Sequence, residues 1–321
     1  MSGPRKTPGE PLDLSGLTTY ALADRASKVA LSDFALPHRL GASVAEFLDA
    51  LPRLLGADQL RALAADVLRA QERGKPIVWG LGAHVIKCGL SPVLLDLMER
   101  GLVTGLALNG AGIVHDFELA VAGQTSEDVD AGLGAGAFGM ARETGEEVNR
   151  AISAGDRDGL GLGAALGRYL TERAPAHLGM SLLAAAWRLG LPATVHVAVG
   201  TDIVHLHSAC DPAALGRTTH LDFRIFAGEV SRLGGGGVYL NVGSAVLLPE
   251  VFLKAVTAAR NLGHDLSDFA TANLDFIQSY RPNTNVVQRP TKGVGRGYSL
   301  TGHHELLVPL LAAALVEGAR P

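Results

Sequence analysis

Apolar and polar positions along the chain follow two patterns, one with the period of a helix and one typical of buried strands. Residues 43–73 carry apolar side chains at helical spacing with charged residues opposite. Ser43 followed by Glu46 is a capping box, which predicts a helix start at that point. The runs 76–83 and 105–112 are short, apolar and end in glycines, so each predicts a buried strand followed by a tight turn.

The same alternation continues through the rest of the chain. Strands that alternate with helix-length segments form parallel sheets, because each crossover connection packs a helix onto the sheet. We therefore predict one doubly wound α/β domain with a mainly parallel sheet over residues 41–321, after an N-terminal tail and helical extension over residues 1–40. The further strands are predicted within 193–199, 234–241 and 268–273, and the helices between them over 181–190, 223–233 and 249–261.

Composition narrows the functional classes. Hydrophobic residues make up 47% of the 321 residues, and the net charge of −4 comes without a long basic block, so a nucleic-acid partner is not expected. Cys88 and Cys210 are too few for a disulfide framework. The apolar run 306–316 is shorter than the roughly 20 residues that span a bilayer. We expect a cytoplasmic protein that contacts no membrane.

Glycine is enriched, at 40 of 321 residues, and it gathers in three turns: 80–84, 109–112 and 234–237. Ligands of open α/β sheets bind at the carboxyl ends of the strands, where such turns allow the backbone to approach a phosphate closely. None of the three is a complete G-x-G-x-x-G motif. Each one alone can be a tight connection, whereas the three together favour a nucleotide site somewhere on the sheet.

Lysine is scarce, and Lys292 is the candidate nucleophile. It lies in a glycine-flanked loop between Arg289 and Arg296, and like-charged neighbours lower the pKa of an amine. Imine chemistry needs a lysine of this kind. The alternative is a solvated loop lysine.

Histidines form a second candidate cluster around Asp202. In a strand, His205 and His207 would share one face. Together with Asp202, or with His303, His304 and Glu305, they could ligate a metal. The alternative is a core histidine that bonds to a backbone carbonyl. The chain has no G-x-S-x-G elbow and no Walker loop, which excludes the serine hydrolases and P-loop NTPases that use them.

Several stretches between Pro76 and Ala313 together resemble the deoxyhypusine synthase family in order and spacing. They are Val78–Gly89, Leu108–Asp116, Thr201–Ser208, Gly235–Asn241, Arg281–Pro282 and Glu305–Leu311. The resemblance implies a Rossmann-like sheet that binds NAD, the oxidation of a polyamine to an imine, and capture of its alkylamine group by an active-site lysine. It also implies a protein or amine acceptor, and a homotetramer in which the cofactor and substrate lie where subunits meet.

Some positions of this chain match the functional residues of the deoxyhypusine synthase family, and others differ from them. Asp202 matches the acid that faces the cationic substrate, and we expect His205 and Thr284 beside it in substrate binding, with Thr284 near an expected glutamate. Asn241 stands at the position of a catalytic histidine, and Lys292 reaches the position of the lysine carrier after a two-residue shift. The expected cofactor residues are Gly82, Ala83, His84, Asn109, Gly110, Gly236, Gly237 and His303, the last in place of an aspartate.

Other functions stay open. The same scaffold could carry an NAD-dependent deamination with cyclisation, which would need no lysine. It could also be a non-catalytic oligomer that binds NAD or a polyamine. A metal hydrolase that uses Asp202, His205 and His207 is a further alternative, although no metal is assigned to the chain.

Overall fold

The computed structural model of the chain describes residue 9 and residues 11–319. Of the expected N-terminal tail, residues 1–8 and 10 therefore lie outside the described residues. Within residues 11–40 the predicted helical extension is reduced to two single 3-10 turns, Leu22–Asp24 and Leu31–Asp33, neither of which contains a buried residue. Short helices in water gain their stability from tertiary packing, and this segment has almost none. In the part of the chain that is described, no helix is long and apolar enough to cross a bilayer.

One six-stranded sheet forms the centre of the protein, and every neighbouring pair of strands in it is parallel. The order is β3-β2-β1-β4-β5-β6, the arrangement of dinucleotide-binding doubly wound folds. The predicted fold class is confirmed. The strands are β1 Ile77–Leu81, β2 Gly105–Asn109, β3 Ala193–His196, β4 Val238–Val242, β5 Phe269–Asp275 and β6 Gly295–Thr301.

Helices cover both faces of the sheet, as the parallel connections require. The smaller core packs α10 and α11 onto one face around Phe226, Tyr239 and Phe252, while the larger core fills the opposite face. The helices are α1 Val44–Ala50, α2 Leu55–Glu72, α3 Ala83–Lys87, α4 Ser91–Glu99, α5 Gly110–Ala122, α6 Val129–Leu133, α7 Arg142–Arg157, α8 Leu162–Arg173, α9 Leu182–Leu189, α10 Pro212–Ser231, α11 Leu247–Asn261, α12 Tyr280–Pro282 and α13 His304–Gly318.

The observed helices and strands differ from those predicted from the sequence in two further places. The predicted helix over 43–73 is divided into α1 and α2 around Pro52, which cannot donate a backbone hydrogen bond, although the Ser43–Glu46 capping box is present as expected. The predicted strand around His205 and His207 is instead a 3-10 turn over Ile203–Leu206, because β3 already ends at His196. The two histidines therefore do not share a strand face.

Candidate functional site

The carboxyl ends of the six parallel strands lie at one edge of the sheet, the carboxyl edge. Most of the predicted site residues lie there because each one is at or near the end of a strand or in the connection that follows it. These residues are Gly82, Ala83 and His84 after β1, Asn109 and Gly110 at the end of β2, Asp202 and His205 after β3, Asn241 near the end of β4, and His303 after β6.

The strand order reverses between β1 and β4, and the two backbones touch where these strands end. The Gly82 N–H donates to the Val242 carbonyl at 2.8 Å, which extends the ladder by one bond. A Cβ at Gly82 would overlap with the carbonyl oxygen of Gly243, so glycine is required at this position. The Gly82 N–H is therefore already bonded within the chain, and its glycine serves the close approach of two connections.

The Asp202 carboxylate packs against Gly110, the first residue of α5. The Asp202 side chain is only 6% exposed, and a Cβ at Gly110 would overlap with its carboxylate. Burial raises the pKa of the Asp202 carboxyl above its usual range, while the neighbouring His205 and the Ala111 N–H act in the opposite direction. Because a carboxylate already lies at this helix end, a phosphate would be repelled from it. The position over Gly110 suits a cationic group instead.

His205 is held against Asp202 with a defined tautomer. The Gly200 N–H donates to His205 Nδ1 at 3.2 Å, so the neutral ring carries its proton on Nε2. Nε2 lies 3.9 Å from Asp202 Oδ2, and neither of these buried atoms has a hydrogen-bond partner among the described residues. Buried polar atoms are nearly always paired in folded proteins, so Asp202 Oδ2 and His205 Nε2 are available to a polar ligand group or a water.

Asn241 anchors a chain of side-chain amides across β4 and β5. Its Nδ2 donates to Asn273 Oδ1 at 2.8 Å and to the Ser244 carbonyl at 2.9 Å, and Asn273 Nδ2 donates to Gln278 Oε1 at 2.9 Å. With both of its protons engaged, Asn241 offers only Oδ1, a fully buried acceptor without a partner in the described chain. An amide does not take up a proton at ordinary pH, so Asn241 can accept a hydrogen bond but cannot act as a base.

His196 ends β3 and faces the same side of the sheet as Asn109, its partner in the ladder. Its Nε2 lies 3.1 Å from the Thr194 hydroxyl, and its ring packs edge-on against Phe226. Burial lowers the pKa of His196 to about 4. This histidine is therefore neutral at physiological pH and adds no charge to the carboxyl edge.

Gly236 and Gly237 are not brought together with the other expected cofactor residues. They precede β4 and so lie at the amino edge, the opposite end of the sheet, where Gly236 approaches the Arg73 side chain and Gly237 packs on the backbone of Leu233. The turn over Gly234–Gly237 leads into β4 and does not follow a strand, so its expected position at a strand end is wrong. Within one chain, a ligand at the carboxyl edge is separated from these glycines by the length of a strand.

Lys292 is also at the amino edge, because the loop that contains it leads into β6. Its side chain is exposed. The Arg296 guanidinium, expected to act on Lys292, instead pairs with Asp66 at 2.8 Å and Asp268 at 2.9 Å. A single chain therefore places its candidate nucleophile at the opposite edge from Asp202.

Thr284 and His207 lie in packed segments of the fold that are held by hydrogen bonds to backbone carbonyl groups. Thr284 belongs to a turn of π-helix, Asn283–Gln288, that packs against β5 and β6 and is tied to the sheet where the Thr271 hydroxyl donates to the Val286 carbonyl. His207 Nε2 lies 3.0 Å from the carbonyl oxygen of Gly139, away from the Asp202 dyad. No group of three or more potential ligand side chains among residues 11–319 could hold a metal ion, so nothing there supports the metal hydrolase.

Sequence reasoning missed four residues that complete the carboxyl edge. Asn273, Phe276 and Gln278 belong to β5 or follow it directly, and His304 follows β6 next to the expected His303. For the first three, the available signal was their position near the end of the β5 strand or just after it. The sequence suggested His304 only as a metal ligand, whereas its neighbour His303 was also expected to bind the cofactor.

Comparisons with known proteins identify related folds but no family to which the chain belongs. No protein-family model matches the chain, and no curated protein sequence matches it. Among solved structures, AgrE in a ternary complex with ornithine and NAD+ matches with a TM-score of 0.53 at 14% identity over 81% of this chain, and the match spans 33% of AgrE. The chain thus corresponds to about a third of that longer protein.

Two further solved structures share the fold. A provisionally named LOR/SDH protein from Methanococcus maripaludis S2 has a TM-score of 0.51 at 12% identity, covering 82% of this chain and 70% of that one. A provisionally named deoxyhypusine synthase from Entamoeba histolytica has a TM-score of 0.50 at 10% identity, covering 88% and 96%. The relationship to deoxyhypusine synthases is therefore a distant one, at the level of the fold.

Proposed function

We propose that this protein is an NAD-dependent enzyme that oxidises an amine to an imine at the carboxyl edge of its sheet. The observation that carries the proposal is the Asp202–His205 dyad in the connection after β3, in which the buried atoms Asp202 Oδ2 and His205 Nε2 have no hydrogen-bond partner among the described residues. A buried carboxylate needs a cationic partner, and an alkylammonium group supplies one. The ornithine and NAD+ bound by AgrE, which shares the fold, support the same class of ligands.

The residues at the carboxyl edge fit NAD, with one restriction. The strand order provides the expected crevice, and Asn241 Oδ1 is a buried acceptor that a carboxamide N–H could satisfy. The restriction is that Asp202 lies over Gly110, so the pyrophosphate is excluded from the N-terminus of α5. When bound, NAD accepts a hydride from the carbon next to the amine nitrogen.

The chain's own residues bind the amine and manage its proton. The Asp202 carboxylate binds the ammonium group. Because burial raises the pKa of this carboxyl, the carboxylate can also accept the proton that the amine must lose. His205 faces Asp202 through Nε2–H and holds the carboxylate in position. Asn241 accepts a hydrogen bond without taking part in proton transfer. These roles account for the oxidation of an amine without a covalent intermediate on the protein.

The fate of the imine separates the candidate reactions. Lys292 at the amino edge does not favour transfer through a lysine within one chain, so we propose release of the imine to hydrolysis or to cyclisation by a second amine of the same substrate. Transfer to an external amine or protein acceptor, as in the family that the sequence resembles, is the second candidate. A homotetramer and a cytoplasmic location remain predictions from that resemblance.

The test is a spectrophotometric assay of NADH formation at 340 nm with a panel of monoamines, diamines, polyamines and basic amino acids, with products identified by mass spectrometry. Asp202→Asn should lower kcat/KM for the amine by about 100-fold, the size expected when a buried charge partner is lost, and leave NAD+ affinity nearly unchanged. Asp96→Asn is the matched control, because Asp96 lies on the surface in a pair with Arg100.

Three outcomes would contradict this function. They are a wild-type protein that does not bind NAD+, turnover that is indifferent to Asp202→Asn, and substrates that carry no amine. Binding of NAD+ and amines without any turnover would favour the non-catalytic oligomer instead. Borohydride trapping of substrate on Lys292 would restore the transfer route.

A further inference from the structure

The Asp202–His205 dyad lies in the connection from β3 to α10, on a short 3-10 turn over Ile203–Leu206. Asp202 immediately precedes this turn, and the His205 N–H donates to the Asp202 carbonyl at 3.1 Å. A 3-10 turn of this length has few hydrogen bonds of its own and poor hydrogen-bond geometry, so other parts of the protein must hold it. The 3.9 Å separation between Asp202 Oδ2 and His205 Nε2 therefore depends on what packs against the turn.

Helix α7 supplies a contact to the middle of the turn. The Asn149 side chain belongs to α7, and its Nδ2 donates to the Val204 carbonyl at 2.9 Å and to the Gly145 carbonyl at 2.8 Å. Asn149 is only 2% exposed and Val204 only 1%, so water does not compete for these bonds. Because Val204 lies between Asp202 and His205 in the chain, one amide group ties the backbone of α7 to the backbone of the dyad.

His207 adds a second contact between the same helix and the end of the turn. Its ring packs on Gly145 so closely that a Cβ at Gly145 would overlap with the ring. Its Nε2 lies 3.0 Å from the Gly139 carbonyl, so Nε2 carries the proton and donates it to that oxygen. α7 and the residues that lead into it thus hold the chain at two points, Val204 and His207.

We propose that Asn149 is a positioning residue for the Asp202–His205 dyad. The inference rests on the proposed function and adds to it the residue that keeps the amine site in place. The hydrogen bonds of Asn149 go to backbone carbonyls and not to the dyad side chains, so Asn149 acts through the backbone that carries them. A displacement of about 1 Å in a reacting or binding group can lower a rate by about 100-fold, which makes such support matter for catalysis.

A purely structural role for Asn149 is the alternative, and the two roles differ in what they affect. Replacement of a structural asparagine lowers the free energy of unfolding but leaves the site intact in the molecules that stay folded. Replacement of a positioning residue changes the orientation of His205 in those folded molecules. This orientation has a spectroscopic signature, because the Gly200 N–H donates to His205 Nδ1 and so selects the tautomer that carries its proton on Nε2.

The experiment replaces Asn149 by leucine, which keeps a branched side chain and removes both donors. NMR of protein with isotope-labelled histidine should show His205 as the Nε2–H tautomer in the wild type and as a mixture of tautomers in Asn149→Leu; the loss of signals in His205→Gln assigns the resonances. In the assay of NADH formation, kcat/KM for the amine should fall by about tenfold or more, while the affinity for NAD+ stays within about twofold. Asn149→Gln, which retains the amide donors, should recover part of the loss.

Thr218→Val is the matched control. Thr218 is as buried as Asn149, and its hydroxyl bonds to carbonyls of its own helix, α10. This variant also loses a buried hydrogen bond, so its thermal stability should fall in a comparable way, but the His205 tautomer and kcat/KM should stay as in the wild type. Asn149→Ser, which keeps one donor and adds no bulk, decides the question if Asn149→Leu does not fold.

Three results would overturn the positioning role. They are an unchanged His205 tautomer or kcat/KM in folded Asn149→Leu, equal losses in Thr218→Val, and a wild-type His205 that does not carry its proton on Nε2. A failure of the proposed function gives a different result. If the wild type oxidises no amine, that function is wrong, whereas the His205 tautomer in the variants still decides whether Asn149 positions the dyad.

Discussion

Asp222 joins the edge strand β3 to the start of helix α8, and its removal provides the sharpest test of the fold. The side chain lies on α10 and is fully buried. Its Oδ2 accepts the Val195 N–H at 2.7 Å and the Gly163 N–H at 2.9 Å, while Oδ1 has no partner in the described chain. Asp222→Asn keeps an oxygen for both donors and removes the charge, whereas Asp222→Ala removes the acceptor.

The expected losses follow from these contacts. Asp222→Ala leaves two buried N–H groups unpaired at about 1–3 kcal/mol each, so we expect the free energy of unfolding to fall by about 3–5 kcal/mol. Burial also raises the pKa of Asp222 to about 7 from an ordinary value of 3.8. Between these pH values the folded protein holds a proton that the unfolded chain has released, so stability falls as pH rises. Across the whole range from pH 3.8 to about 7, the titration of Asp222 changes the free energy of unfolding by about 4 kcal/mol.

The assay is urea unfolding followed by circular dichroism at intervals from pH 4.5 to 8 for wild type, Asp222→Asn and Asp222→Ala. Other carboxyl groups titrate in all three proteins, so the difference between wild type and Asp222→Asn isolates this side chain. The stability of Asp222→Asn relative to wild type should rise with pH and level off above about 7. A flat difference, or an alanine variant within about 1 kcal/mol of wild type, would refute the reasoning.

Three further predictions concern the site and its support. Gly80→Ala places a Cβ on the Tyr239 phenol oxygen and should reduce stability by about 1–3 kcal/mol; Tyr239→Phe, which removes a hydroxyl without a described partner, should restore most of it, and additive thermal shifts would contradict the contact. Gly110→Ala displaces the Asp202 carboxylate and should raise the KM for the amine at least about tenfold with little change in Tm, whereas an unchanged KM would count against the site. His196 should show no NMR titration between pH 5 and 8, and a midpoint near 6.5 would disprove its burial as a neutral ring.

The sequence by itself determined the kind of fold and most of the carboxyl edge. The apolar runs that end in glycine at residues 77–82 and 105–110 are local signals, and their alternation with helices requires a parallel sheet. Once the sheet is parallel, residues that follow strands gather at one edge, which brings Gly82, Gly110 and Asp202 together. Chain order and strand polarity were sufficient for that part of the prediction.

Other strand positions lacked a clear local signal. The segment Gly295–Thr301 contains two glycines and an arginine and lies half-exposed at the edge of the sheet, so its pattern did not predict β6. Without β6, the loop around Lys292 could not be assigned to the amino edge. A glycine turn has the same local pattern whether it enters or leaves a strand, and the turn at Gly234–Gly237 enters β4 at the amino edge.

Only the tertiary structure decided which side chains meet. Asp202 lies over Gly110, and Phe276 stacks on His303, because the strand order β3-β2-β1-β4-β5-β6 brings distant parts of the chain to neighbouring positions. The order and the packing of helices onto the sheet arise from many weak long-range contacts, none of which leaves a pattern within a short window of sequence. The buried unpaired atoms of Asp202 and His205 become visible only once those contacts exist.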